Sequence, residues 1–495
     1  MNSYLRGAAA TADYIGFHAA ERPDAIAIAD PGREITYAQF DRDLGRFVRA
    51  VGDLGLARGR SVAIAWGELY SHWLLLLACE QLGIVTATFL FNDGTEDSRL
   101  LETVDLVLSE ARPRGVAPER HRPLTQDWLA GVFARPDAGM PPLAALHPDD
   151  PLRIVRTSGT TAEPKRLLWT RRMFEAWVER RIWSLGLTRS SRAALNMAFA
   201  AAGGYTLSTA VLRAGGTVSN AWIGVETAAA LAQAAHGLTH LRLTPLELRF
   251  VLDTLPPDFV KPPSLVVCTV GAAVAASLRE RALARLASEV VVSYGTNEVL
   301  FAAETREAGS EGISTIYPWV EIEVVDEQGT PLPPGTPGII RMRDEEGMAT
   351  GYLDDPETTA RKFRGGWFYP GDVGILHDRR RVQIVGREDE LMNIGGIKMA
   401  PSSIEGWVMQ HATVGDLGVC SLRNADGIEE ICVAVARPGH SETELMERIT
   451  RAFSDHHIGR NFYVVGLARI PRNANGKIQR GLLKQAALAV LGRKQ

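Results

Sequence analysis

The chain has 495 residues, 46% hydrophobic and 23% charged, enough for a large buried core and for division into more than one domain. A formal net charge of −4 excludes a general attraction to nucleic acid or acidic membranes and favours a small soluble ligand. The four cysteines, Cys79, Cys268, Cys420 and Cys432, are scattered without C-x-x-C spacing and read as reduced core residues.

In chain order, no basic-then-apolar segment opens the sequence, and the expected compartment is the cytosol. Ser61 to Trp66 reads as a strand. The Leu-rich run Trp73 to Cys79 is followed by Glu80 and Gln81 and is too short to span a bilayer. A short apolar strand, Leu152 to Val155, leads into Arg156-Thr157-Ser158-Gly159-Thr160-Thr161-Ala162-Glu163-Pro164-Lys165. A run without bulky side chains can fold backbone N–H groups and hydroxyls around a polyphosphate while the lysine offsets charge. The plain alternative is a surface turn, and the Gly-Lys-Ser/Thr ending of a P-loop is absent. Met173, Phe174, Trp177, Val178, Ile182 and Leu185 then mark one face of a helix, so the expected setting is a loop between strand and helix.

Further strands at Ser264 to Val270 and Glu289 to Ser293, beside a helix at Ala275 to Ala287, give α/β patterning. Two strands, Glu321 to Val325 and Gly338 to Arg343, flank a Pro/Gly-rich turn and predict a local antiparallel unit. Beyond Gly386-Arg387-Glu388-Asp389-Glu390 a self-contained alternation begins. It comprises a helix near Ser402 to His411, strands Asp416 to Leu422 and Glu430 to Arg437, a helix Glu442 to Ser454 and a strand Phe462 to Ile470. About 105 residues is a natural size for an independent α+β unit. The expected organisation is a large multi-sheet α/β N-terminal domain, 1–387, and a small α+β C-terminal domain, 388–495.

Six motifs occur together: the Thr157–Lys165 run, Tyr294-Gly295-Thr296-Asn297-Glu298, Tyr369-Pro370-Gly371-Asp372, Gly386-Arg387-Glu388-Asp389, Gly395-Gly396-Ile397-Lys398, and the tail Pro471 to Arg480. In order and approximate spacing the chain resembles the acyl-adenylate-forming superfamily of acyl-CoA synthetases, peptide-synthetase adenylation domains and luciferases. The resemblance runs from Glu34-Ile35-Thr36-Tyr37 through the C-terminal lysine segment.

It implies that Thr157, Ser158, Gly159, Thr160, Thr161 and Lys165 orient the phosphates of ATP and that Glu298 holds Mg²⁺, a hard cation suited to carboxylate and phosphate oxygens. Asp372 and Arg387 match positions that meet the ribose hydroxyls. Gly271, Ala272, Ala273 and Tyr294 match the adenine wall, and Gly295, Thr296 and Asn297 belong to the same nucleotide-binding set. Lys477 matches the lysine that reaches the reacting carboxylate and the α-phosphate, its alternative being a surface lysine in a turn. Lys398, after Gly396, falls near the phosphates or the thiol channel. A mobile C-terminal domain, hinged at Asp389, would withdraw Lys477 and bring Gly395-Gly396 to the site for a pantetheine arm of coenzyme A or of a carrier protein.

The chain departs from the family pattern at Ala162 and Arg166, where relatives carry glycine, and at Asn297 and Pro370, where they carry threonine. The acid pocket is expected between Asn196 to Tyr205, Thr239 to Pro245 and Gly271 to Val274. The first of these holds no acid for an α-ammonium, which disfavours a free amino acid and favours an apolar or aromatic carboxylic acid. Arg242 either faces a second polar group of the substrate or points to solvent as a strand arginine. His456-His457 reads as a surface feature. The favoured activity is an acid:CoA ligase. Transfer of the adenylate to a carrier-protein phosphopantetheine or another nucleophile, and a nucleotide-binding protein without catalysis, are the alternatives. No nucleic-acid or membrane partner is expected, and the oligomeric state is monomer or homodimer.

Overall fold

The apolar runs pair into sheets in a computed structural model that describes residues 9–30, 32–89, 98–141, 145–157, 164–195, 199, 202–219, 237–271, 274–306, 312–394, 397–412, 414–423, 429–438, 441–455, 462–473 and 476–492. One sheet has strand order His121–Pro123, Leu106–Ser109, Ser61–Ala65, Val85–Thr88, Pro151–Arg156, Arg166–Thr170. All its pairs are parallel except the last. The crossover helix Leu69–Gln81 carries the Leu-rich run and is buried from Tyr70 to Gln81, so that run is a core helix. No described helix is long and apolar enough to cross a membrane.

A second sheet has a parallel centre, ordered Thr217–Ser219, Arg192–Leu195, His240–Leu243, Val266–Val270, Glu289–Tyr294. Leu243 lies opposite Thr269 and Val270 opposite Ser293, so the C-terminal ends of three strands share one edge. Antiparallel strands extend this sheet, among them the neighbours Asp372–Asp378 and Arg381–Arg387. Glu321–Val325 and Pro337–Arg343 form the expected antiparallel pair. Between the sheets the helices Leu69–Gln81, Arg171–Leu185 and Ala202–Arg213 bury Trp73, Phe174, Trp177 and Tyr205 in one core.

The C-terminal region is a three-stranded sheet ordered Val414–Arg423, Glu429–Pro438, Phe462–Gly466. Strand alternation sends Val419, Ile431, Val433 and Val435 to one face, against Ile404, Val408, Ile449 and Phe453 of two helices. Cys420, Leu422, Cys432 and Ala434 go to the other, against Leu483 and Ala487 of the helix Arg480–Val490. The fold is therefore α/β, with a large multi-sheet N-terminal part and a small α+β C-terminal part. All four cysteines are buried and unbridged.

One expectation is corrected. The Thr157–Lys165 loop does not run from strand to helix; it joins two antiparallel strands, and the helix Arg171–Leu185 follows only after Arg166–Thr170. The strand Arg166–Thr170 intervenes between the loop and the helical pattern that begins at Met173. The sharp turn into the helix comes from the Thr170 N-cap, whose hydroxyl accepts from Met173 N–H at 3.4 Å. The pair His456-His457 lies outside the described residues.

Candidate active site

In open α/β sheets ligands bind beyond the carboxyl ends of the strands. Here Glu289–Tyr294 ends in Tyr294, whose hydroxyl donates to Asp372 Oδ2 at 2.7 Å. Arg387, paired with Asp372 in strand register, reaches Asp372 Oδ1 at 3.3 Å and donates to the Pro370 carbonyl at 3.0 Å. Burial, and next the Asp372 charge, push the Tyr294 hydroxyl well above its usual pKa, so it stays a donor. Gly371 has φ of +85°, and a Cβ there would stand 2.8 Å from Lys362 Nζ and 3.5 Å from Arg387 Nη2. Only glycine lets both cations close on that turn.

The segment after Tyr294 is a tight turn. Thr296 Oγ1 accepts from the N–H groups of Glu298 and Val299, and a Cβ on Gly295 would sit 2.7 Å from Phe301 N. This turn presents Glu298, whose carboxylate accepts the Tyr352 hydroxyl on Oε1 at 2.7 Å. Asn297 spends its amide on the Arg156 carbonyl at 2.7 Å, which ties the turn to the strand that starts the phosphate loop. Asn297 thus acts as a strut between the two sheets.

The base of that loop is clasped: Thr157 N–H donates to the Lys165 carbonyl at 2.8 Å, and Lys165 N–H to Thr157 Oγ1 at 3.2 Å. Lys165 Nζ lies 5.0 Å from the centre of the Tyr352 ring, beside Glu298. Burial, and the nearby charges of Arg361 and Arg387, hold its pKa below the usual lysine value against the pull of Asp355 and Glu298. Lys362 is shifted down in the same way, by burial first and then by Arg387, Lys165 and Arg361. Lys362 and Arg387 close together on Gly371, and the charges of Lys165 and Arg361 act on the same surroundings, a concentration of positive charge that fits a polyanion such as a triphosphate.

Glu298 Oε2 carries no hydrogen bond among the described residues, and no group of three metal-ligating side chains occurs among them. That donor set suits Mg²⁺, which is held by one or two carboxylates plus phosphate oxygens and water.

Lys477 is carried to the same edge. Arg472 braces the tail loop through Asp416 at 2.7 Å and the Gly476 carbonyl at 2.6 Å, and Lys477 N–H donates to Asn473 Oδ1 at 3.0 Å. Gly476 has φ of +74°, and a Cβ on it would stand 3.5 Å from Oγ1 of Thr244, the residue after the His240–Leu243 strand. With strands spaced about 4.8 Å, that end lies about 10 Å along the edge from Tyr294.

Gly271 closes the intervening strand with φ of +91° and nothing within 4 Å of its Cβ position. Ser158, Gly159, Thr160, Thr161, Ala272, Ala273 and Gly396 lie outside the described residues, and of Lys398 only the backbone, paired with Asn393, is described. Arg166 is held by Asp354 at 3.0 Å and the Arg99 carbonyl at 2.6 Å. Tyr352 and Lys362 carry no motif of their own in the sequence reading; the Gly351-Tyr352 and Arg361-Lys362 dipeptides become informative only through their contacts.

The family model for "AMP-binding enzyme" matches residues 17–353. The chain belongs to this family. It is therefore a member of the acyl-adenylate-forming superfamily that its motifs resemble. Among curated relatives of this AMP-binding enzyme, the 4-chlorobenzoate–CoA ligase of Arthrobacter sp is 25% identical, the alignment covering 96% of this chain and 94% of the relative. The fatty acid–[acyl-carrier-protein] ligase ScoC of Streptomyces coeruleorubidus is 26% identical over 94% of each chain. Among solved structures, the anthranilate CoA ligase AuaEII in complex with anthranoyl-AMP superposes with a TM-score of 0.84 at 19% identity, covering 98% of both chains, a likeness of fold.

Proposed function

We propose that the protein is an acid–thiol ligase: it joins a carboxylic acid to the AMP moiety of ATP with release of pyrophosphate, then passes the acyl group to the thiol of coenzyme A with release of AMP. The observation that carries this reading is that Lys165 and Glu298 meet at the Tyr352 ring, Lys362 and Arg387 close on Gly371 beside Asp372, and the Lys477 loop abuts Thr244 at the end of a strand in the same sheet. The CoA-ligase names of relatives aligned over nearly the whole chain support it.

In this reading Lys165 and Lys362 face the phosphates, and Asp372, oriented by Tyr294 and Arg387, accepts from the ribose hydroxyls. Bound Mg²⁺ would supply charge neutralisation between the phosphate oxygens and Glu298. Tyr352 keeps Glu298 Oε1 occupied and aims the carboxylate. Lys477 stabilises the negative charge that develops as the acid's oxygen attacks the α-phosphorus. In the same reading the large domain ends at residue 387 and 388–495 is the moving unit; the separate core of the C-terminal sheet and its helices supports this division.

A second reading keeps the first step and gives the acyl group to a carrier-protein phosphopantetheine; the name of the ScoC relative favours it. Acid-dependent exchange of labelled pyrophosphate into ATP tests adenylation, and absence of exchange across aliphatic, aromatic and dicarboxylic acids overturns both readings. Adding coenzyme A or a holo-carrier protein to the positive reactions then decides between them.

A further inference from the structure

Arg242 occupies the His240–Leu243 strand and is only 4% exposed, so it is not the solvent-facing strand arginine that its pattern allows. Its guanidinium fills the space left by Gly203 at the start of the Ala202–Arg213 helix: a Cβ there would approach Arg242 Cζ to 2.7 Å. Nε and Nη1 of Arg242 are buried without a hydrogen-bond partner among the described residues.

Arg181 shares this environment. It is fully buried, lies over the Phe301 ring at 4.2 Å and donates Nη2 to Ser293 Oγ at 3.3 Å, yet its Nε and Nη1 also have no hydrogen-bond partner among the described residues. No carboxylate pairs with either arginine among the described residues. The acid whose charge acts on Arg242, Glu247, caps its own helix through Thr244 N–H at 2.7 Å. The chain segments 196–201 and 272–273, next to Gly203 and Gly271, contain only Asn, Met, Phe and Ala, so they bring no counter-charge.

Buried cations are ordinarily paired, because an unpaired guanidinium forfeits hydration with nothing in return. Burial, and next the Arg181 charge, push the Arg242 pKa down to about 9, the mark of an environment that wants an anion. The start of the Ala202–Arg213 helix adds its positive end to the same place. Arg242 is two residues before Thr244, which meets the Lys477 loop, so it lies about 7 Å deeper than the strand edge. An anion bound there and a carboxylate reacting at the edge fit within one small molecule.

We propose that the acid activated at this site carries a second carboxylate, remote from the reacting one, and that Arg242, reinforced by Arg181, receives it. The proposal rests on the ligase reading and narrows its substrate class from apolar acids to dicarboxylic ones. Arg242 is then the specificity-determining residue, and the unpaired guanidinium rejects a neutral tail because a buried charge would stay unmet.

Matched acids test this directly: glutarate against pentanoate, adipate against hexanoate and terephthalate against 4-methylbenzoate, in pyrophosphate exchange with wild type, R242M and R242K. The expected result is that wild type prefers the dicarboxylate of at least one pair. R242M should lower kcat/KM for that acid on the order of a hundredfold and raise it for the monocarboxylate partner, since the buried charge that rejects a neutral tail is gone, with R242K intermediate. Preference of wild type for the monocarboxylate in every pair, or equal losses for both partners in R242M, overturns the proposal while leaving the ligase reading intact. Exchange with none of these or other acids overturns the ligase reading. In that case thermal shift still decides the anion site, since a dicarboxylate must raise Tm in wild type but not in R242M. Should R242M fail to fold, the wild-type preferences and R242K carry the same decision.

Discussion

Tyr352 donates its hydroxyl to Glu298 Oε1 at 2.7 Å, and the same ring lies under Lys165 Nζ at 5.0 Å. One aromatic side chain thus fixes both the carboxylate proposed for Mg²⁺ and the cation proposed for the phosphates. Tyr352→Phe keeps the ring and removes the hydroxyl. Groups that orient a metal ligand typically cost 10–100-fold in metal affinity when lost, so the Mg²⁺ concentration for half-maximal pyrophosphate exchange should rise roughly tenfold or more. An Mg²⁺ titration of the variant checks this.

Lys477→Ala should lower adenylation on the order of a hundredfold or more, since it removes a cation from the developing charge. Thioester formation from pre-made acyl-adenylate should change far less, because in the proposed mechanism the C-terminal unit withdraws this lysine before the second step. Single-turnover assays of the two halves separate these effects.

Lys165 and Lys362 have pKa values held below that of free lysine by burial and by neighbouring cations. Anionic phosphates beside them raise both values, so in the alkaline window between the free and bound pKa values ATP binding takes up protons. Apparent ATP affinity should therefore fall as pH rises through that window and stay flat below it. Calorimetric titrations in two buffers of different ionisation enthalpy report the proton uptake.

Arg166 stands where the motif resemblance leads one to expect glycine, and its contacts run to Asp354 and the Arg99 carbonyl. Asp354 is largely exposed, which limits the value of the pair. Arg166→Ala should cost about 1 kcal/mol of stability and leave the KM for ATP within roughly twofold, read by denaturant melts and exchange kinetics.

Most element positions were legible because periodicity is local, and motif spacing picked out Tyr294, Asp372 and Arg387, which the fold brings together. The Glu321–Val325 and Pro337–Arg343 pair, with its Pro/Gly turn, is an example. Tyr294 and Asp372 stand in separate motifs, and their hydrogen bond exists only because two distant strands enter one sheet. Arg242 misleads for a related reason. His240 and Arg242 alternate with Leu241 and Leu243, which on a half-exposed strand would put the polar pair in water; in a parallel sheet covered on both faces the same alternation buries it. Lys362 and Tyr352 were silent because neither residue type nor neighbours distinguish them from ordinary surface residues until the chain closes around Gly371 and Glu298.

The clasp between Thr157 and Lys165 separates two properties of the segment it encloses. Because the flanking strands are already sewn together at that point, lengthening or shortening the stretch 158–163 leaves the strand register on either side undisturbed. On the proposed reading, a length change in that stretch therefore bears on affinity for ATP and not on the pairing of the two strands.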